Sequence, residues 1–201
     1  MTKPRRFRIT VALASVLAAT LLLTGCTSDP LADQYRDGTD SNYISGEGVY
    51  KELPVEERGD AVEFTGVSDS GDQISSDDYA GEVFVVNFWY AGCPPCRLEA
   101  PDLQQLSQDY ADDGVSFLGV NTYDQADSSI AFARTWGVTY PSIIDVNDVA
   151  VQFAFSDFVP PNAVPTTLVI DTSGRVAARW SGLISEPSIL AAMIDRVLED
   201  G

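Results

Sequence analysis

Apolar positions follow two rhythms along this chain, and the change from one to the other marks out its elements. Residues 83–89, Val-Phe-Val-Val-Asn-Phe-Trp, are nearly continuous apolar, as expected of a strand covered on both faces, and residues 115–120 read as a second buried strand. Between them Leu98, Leu103, Leu106 and Tyr110 recur at helical spacing, so 94–110 reads as a helix that Pro101 is placed to kink. Residues 128–136 read as another helix and 142–146 as a short strand. Residues 166–170 and 176–180 flank the turn Asp171-Thr172-Ser173-Gly174 and predict a hairpin. Residues 187–198 then read as a helix with Ser185 or Glu186 at its start. Earlier in the chain, 61–67 and 73–75 flank the turn cluster Ser68-Asp69-Ser70-Gly71-Asp72. Strands alternating with helices, then a hairpin and a helix, predict an α/β sandwich with a mixed central sheet flanked by helices.

The pattern is different before residue 60. The first eight residues hold Lys3, Arg5, Arg6 and Arg8 with no acid, and the next fifteen are uncharged and mostly apolar. That is the charged head and apolar body of an export signal, shorter than the roughly 20 residues of a comfortable membrane span. The run ends in Leu23-Thr24-Gly25-Cys26, which resembles the lipobox of bacterial lipoproteins, where a diacylglyceryl group is placed on the cysteine and cleavage follows just before it. On that reading 1–25 is a lipoprotein signal peptide. Residues 26–59, rich in Asp, Glu, Gly, Ser and Pro without periodicity, form a flexible acidic tether, and 60–201 form one domain.

Charge narrows the partners. The chain carries 12 basic and 30 acidic residues, and cleavage before Cys26 removes four bases and no acid. Such a surface repels nucleic acid and anionic headgroups, so DNA and RNA are poor partners, while a basic face on a partner protein is attracted.

The three cysteines divide between two tasks. Cys26 is the lipidation candidate, which leaves Cys93 and Cys96 for each other. Cys93-Pro94-Pro95-Cys96 follows a buried strand and opens a helix, the context in which such a pair exchanges a disulfide with another protein. In an exported protein it reads as a working redox couple ahead of a metal clip. Cys93 precedes the helix, where the positive end of the dipole favours a thiolate, so it is the attacking thiol, to be exposed; Cys96, one turn in and facing the core, resolves the mixed disulfide. Pro94 and Pro95 remove two N–H donors from the helix start, and no histidine lies nearby, so the thiolate is less favoured than in a strong oxidant. Glu99, three residues past Cys96, shares its helical face. Spacing leaves two roles open for it, proton acceptor for Cys96 or solvated first-turn acid. A proline at 165, before a strand, is open between cis and trans on the same basis.

These residues resemble the thioredoxin-like superfamily, most closely the membrane-tethered TlpA/ResA group of thiol-disulfide oxidoreductases. The matching pieces are Asn87-Phe88-Trp89, Cys93-Pro94-Pro95-Cys96-Arg97-Leu98-Glu99-Ala100-Pro101, Val164-Pro165-Thr166-Thr167 and Ile170-Asp171-Thr172-Ser173-Gly174-Arg175. The resemblance implies a thioredoxin-like sandwich with an N-terminal hairpin and a central strand-helix insertion between Val120 and Val164. It makes Pro165 a cis-proline facing the disulfide, with Val164 and Thr166 beside it and Pro94 and Pro95 contacting substrate, and it favours the proton role for Glu99. Asn87 stands where thioredoxin has a buried aspartate, and Gly92 where it has a tryptophan.

The resulting expectation is a lipid-anchored thiol-disulfide oxidoreductase on the extracytoplasmic face of the bacterial cell membrane. It needs no cofactor or metal; the chain has no histidine and no second cysteine pair. By the resemblance it acts as a reductant of client disulfides, for example of apocytochrome c in cytochrome c maturation, with electrons from a membrane thiol-disulfide carrier. The alternatives are an oxidant that introduces disulfides and a redox-inactive lipoprotein that binds a partner. A peroxidase of the peroxiredoxin type is disfavoured, since Val86 and Tyr90 hold the places of its active-site proline and threonine. Covalent haem attachment is disfavoured because Arg97 follows Cys96.

Overall fold

The computed structural model describes residues 48–200. The predicted leader 1–25, Cys26 and most of the predicted tether lie outside the described residues.

Among the described residues a six-stranded mixed sheet runs in the order β1-β8-β7-β4-β5-β6. Its strands are β1 (Val49–Glu52), β4 (Phe84–Trp89), β5 (Ser116–Asn121), β6 (Ser142–Ile144), β7 (Thr166–Ile170) and β8 (Val176–Ser181). β4 is parallel to β5 and antiparallel to β7, and β5 is parallel to β6. β2 (Thr65–Val67) and β3 (Gln73–Ser75) form a separate two-stranded hairpin. Four α-helices accompany them: α1 (Pro94–Asp109), α2 (Ala126–Trp136), α3 (Ala150–Ala154) and α4 (Pro187–Glu199).

Burial explains the continuous apolar run of β4. All six of its residues are buried, and their side chains alternate between the two faces of the sheet. Phe84, Val86 and Phe88 pack with Leu118, Val120, Leu168 and Ile170 on one face, where Phe64, Phe155 and Val159 cover them. Val85 points the other way, to Phe117 and Val169, under Leu103 of α1 and Leu190 and Ile194 of α4. Asn87, on that same side, is the polar interruption in the run, and it belongs to the site described below.

Two bounds read from the sequence shift in the structure. The tether does not extend to residue 59, because β1 pairs residue by residue with β8 from Val49↔Ser181 to Glu52↔Ala178. All four β1 side chains are exposed, so the strand has no apolar rhythm; backbone pairing and the stacking of Tyr50 on Trp180 at 5.3 Å hold it in place. The first hairpin strand covers 65–67 rather than 61–67, and the hairpin is fastened to β6 through Asp69 N–H to the Ser142 carbonyl at 2.8 Å. Pro101 lies inside α1 as the spacing predicts, and the helix runs over 16 residues.

Candidate active site

The end of β4 delivers the chain directly to the cysteines. Cys93 is the N-cap of α1, and Pro94 and Pro95 occupy the first positions of the helix, where an N–H has no intrahelical partner. The first N–H the helix start offers is therefore that of Cys96, which donates to Cys93 Sγ at 3.2 Å. The two cysteines are joined as a disulfide. Pro94 is exposed and Pro95 buried. Cys96 faces the core as expected, but Cys93 does not stand out from it: their exposures are 2% and 0%. Trp89, Ala100 and Phe132 pack around the pair, with Tyr90, Ala91, Trp136 and Val138 at the margin.

A second loop fixes the approach to Cys93. Asp124, after β5, accepts from the Ala91 N–H at 2.6 Å and from Asn121 Nδ2 at 3.1 Å. Asn121 Oδ1 in turn accepts from the Asp124 N–H at 2.8 Å, so the carboxylate is held where the cysteine loop needs it. The Arg97 guanidinium donates to the Ala91 carbonyl at 2.7 Å, and the Thr122 N–H to the Trp89 carbonyl at 3.0 Å. Close packing below requires a glycine at 119, because a Cβ there would lie 2.1 Å from Ser142 Oγ and 2.8 Å from Trp89 Nε1. Nothing in the sequence pattern singled out Asp124 or Asn121; an Asn-x-x-Asp spacing after a buried strand is their one local signal.

The Val164-Pro165 peptide is cis. Thr166 pairs with Phe88, so Pro165 lies at the sheet end from which the cysteine loop leaves. Val164, Pro165 and Thr166 are buried, Thr166 Oγ1 donates to the Ala163 carbonyl at 2.5 Å, and the Pro165 carbonyl accepts from the Gly182 N–H at 2.8 Å.

Glu99 is no solvated first-turn acid. It is 1% exposed, and its carboxyl is held at both oxygens: Oε1 accepts from Asn87 Nδ2 at 3.0 Å and Oε2 from the Ile184 N–H at 3.1 Å. Asn87 Nδ2 also donates to Thr167 Oγ1 at 3.0 Å, which fixes the amide between neighbouring strands β4 and β7. Loss of water pushes the Glu99 pKa up to about 8; the two hydrogen bonds oppose the rise and the nearby Asp102 adds to it. A cavity of about 10 Å³, the space of a single water, touches both Cys96 and Asn87. The polar residue inside the β4 run, the helix face of Cys96 and the β8–α4 connection thus meet at one carboxyl group.

A Cys-x-x-Cys disulfide at a strand-to-helix junction, a cis-proline at the same end of the sheet and a buried carboxyl one helical turn past the second cysteine define the fold and site of the thioredoxin-type thiol-disulfide oxidoreductases. Within that class the chain belongs to the AhpC/TSA family, whose profile matches residues 58–179. It is similar to the thiol-disulfide oxidoreductase ResA of Geobacillus kaustophilus, 35% identical over 112 residues, covering 56% of this chain and 62% of that protein. The chain therefore matches just under two thirds of that relative's length. It is also similar to the thioredoxin-like protein YneN of Bacillus subtilis, 29% identical over 63% of this chain and 72% of the relative. Among solved structures, a secreted thiol-disulfide isomerase from Corynebacterium glutamicum superposes with a TM-score of 0.67 at 28% identity, covering 74% of this chain and 91% of the other.

Proposed function

We propose that this chain exchanges electrons with client proteins through the Cys93/Cys96 dithiol-disulfide, as a reductant held to the extracytoplasmic face of the membrane by a lipid on Cys26. The observation that carries the exchange reading is the disulfide at the start of α1 with Glu99, one helical turn past Cys96, buried on the same helix. A static crosslink closing so small a loop adds little stability and gives no role to an acid kept from water at the cost of its charge.

The chemistry divides between the two cysteines. Cys93, at the positive end of the helix, attacks the client disulfide and forms a mixed disulfide, and the client's leaving thiolate takes a proton from solvent. Cys96 then attacks Cys93 Sγ, closes the internal disulfide and releases the second client thiolate. Glu99 takes the Cys96 proton in this step and returns it when the pair is reduced again. A carboxyl with a pKa near 8 suits that task, because its proton affinity is close to that of an ordinary thiol. Val164, Pro165 and Thr166 at the cis bond, with Pro94 and Pro95 beside Cys93, line the approach of an extended client segment.

The direction of electron flow rests on the helix start. With no N–H at positions 94 and 95, a thiolate on Cys93 has fewer donors than a helix N-terminus ordinarily offers, which stabilises the disulfide relative to the dithiol. The charged and apolar leader 1–25 and the acidic stretch after it support a domain held outside the cytoplasm, where a membrane thiol-disulfide carrier recharges it. An apocytochrome c awaiting haem is a client that fits. Reduction of insulin by the wild-type domain, with Cys93→Ser inactive, is the expected result; equal rates for both would refute the exchange reading.

A further inference from the structure

The chain enters the described domain at the end of the sheet where the cysteines lie. Val49 of β1 pairs with Ser181 of β8, Ser181 with Thr166 of β7, and Thr166 with Phe88 of β4, so the four residues form one row across the sheet. Trp89 and the loop to Cys93 follow Phe88, which puts the start of β1 three strand spacings, about 14 Å, from the strand that delivers the disulfide. Between them stands the cis-proline, just before β7. Its carbonyl accepts from the Gly182 N–H, and the neighbouring Leu183 carbonyl accepts from the Gly48 N–H at 3.2 Å. The entry point is fixed by packing as well. Trp180 Nε1 also donates to the Leu183 carbonyl, at 3.1 Å, and a Cβ at position 48 would lie 1.8 Å from Trp180 Nε1 and 2.6 Å from the Leu183 oxygen. From there β1 runs away from the cysteines. After the turn Val55–Glu57 the chain reaches Arg58, whose ion pairs with Asp171 and Asp200 mark the opposite end of the sheet, where α4 also finishes.

We infer that this entry turns the cysteine end of the domain toward the lipid surface, so that the protein engages a partner embedded in the bilayer, with its reactive sulfur near the headgroups, ahead of a freely diffusing one. The inference rests on exchange at Cys93 and on a lipid at Cys26. A chain of the length of residues 26–47 reaches about 25 Å as a random coil. With entry at the cysteine end, that reach sets the distance between the disulfide and the bilayer. Entry at the opposite end would add the length of the sheet, about 20 Å for the six residues of β4, and would aim the disulfide outward. A tether promotes reaction by effective concentration, and only where geometry lets both reactive groups meet. Charge gives no competing bias, because a chain with 30 acids and 12 bases is not drawn to anionic headgroups at either end. The partner is therefore a dithiol or disulfide held at the bilayer surface; two electrons pass as one disulfide opens and the other forms.

The test couples the chain 26–201 through Cys26, with Cys93 and Cys96 oxidised, to a maleimide lipid in phosphatidylcholine vesicles, and then reduces the pair. A second form carries the segment 27–47 after Gly201, ending in the one cysteine used for coupling, with Cys26 removed. Each is assayed for release of pyridine-2-thione from a pyridyl-disulfide phospholipid in the same bilayer and from the soluble pyridyl disulfide of glutathione. The dithiol closes to the disulfide as each probe is cleaved to its thiol and the thione. The natural attachment is expected to react about tenfold faster with the lipid probe, through its higher effective concentration, and both forms equally with the soluble one. Equal rates on the lipid probe, or a faster transposed form, overturn the orientation and leave exchange standing. Inserting a second copy of residues 27–47 ahead of Gly48 leaves the domain untouched and is expected to slow the lipid reaction about threefold, since effective concentration falls as the −3/2 power of length. An unchanged rate overturns the orientation even where the transposed form does not fold. No reaction of the natural form with either probe overturns exchange, and a Cys26 recovered from cell membranes without a diacylglyceryl group overturns the anchor; the orientation falls with each.

Discussion

Asn87 Nδ2 lies 3.0 Å from Glu99 Oε1, with both residues buried, one in the middle strand of the sheet and the other on the helix that starts at Cys93. The amide orients the carboxyl without giving it a countercharge, so the acid keeps a pKa near 8 in place of the usual carboxylate value. Glu99→Gln preserves the hydrogen-bonding shape and removes the titration. Resolution of the mixed disulfide by Cys96 is expected to slow about 100-fold, the lower range for a lost general acid-base group. Its pH profile, followed by rapid mixing, is expected to lose an inflection near pH 8. An unchanged profile would show that Cys96 exchanges its proton elsewhere.

The same group sets a pH dependence of stability. In the unfolded chain Glu99 ionises near 4.5, whereas in the folded protein it holds its proton to about 8. Between those values the native state binds the extra proton, so its contribution is full below pH 4.5 and declines as pH rises to 8, by on the order of 4 kcal/mol in all. Urea unfolding of the oxidised protein at pH 5, 6.5 and 8 is expected to show this decline, and Glu99→Gln to flatten it. Parallel curves for the two proteins would contradict the assigned protonation.

The order of attack has a direct chemical check. Reduced Cys96→Ala is expected to accumulate a covalent adduct with insulin, visible by mass spectrometry and reversed by reductant, because nothing resolves the mixed disulfide. Cys93→Ala is expected to form none. Adducts through Cys96 in the second variant would reverse the roles.

At the opposite end of the sheet, Arg58 ties the entering chain to the β7–β8 turn. Its guanidinium donates to Asp171 Oδ2 at 3.1 Å and pairs with Asp200, and the side chains of Arg58 and Asp171 are 4% and 5% exposed. The hydrogen bonds from Arg175 and Arg58 hold the Asp171 carboxyl below the ordinary range, against its burial. Arg58→Met leaves a buried carboxylate short of a partner and is expected to destabilise the domain by about 3 kcal/mol in chemical unfolding. A change below about 0.5 kcal/mol would show the pair to be dispensable.

Sequence rhythm revealed the elements that bury something. The β4 run, the start of α1 at its two prolines, the Asp171–Gly174 turn and the last helix all stood out because apolar spacing and cap residues dictate them. β1 was not legible, because a strand with four exposed side chains is specified by backbone pairing to a partner over a hundred residues away. The five-residue α3 escaped for a related reason: it has one buried residue, and its start is capped by Asp145, which accepts from the Val151 and Gln152 N–H groups at 2.9 and 2.8 Å. Within the site, the cysteines and their helix were plain from spacing, whereas the burial of Glu99 and the clamp of Asp124 on Ala91 depend on contacts across the fold.

On this reading Cys93 and Cys96 form a reversible couple poised to reduce clients. The midpoint potential of that pair, titrated in thiol buffers on the soluble domain, tests it most directly. A couple that reduces clients is expected at about −220 mV or lower, in the range of glutaredoxins and thioredoxin. A value near about −120 mV, that of a strong disulfide-forming oxidant, would contradict the reductant reading, and a pair that does not cycle would contradict exchange itself.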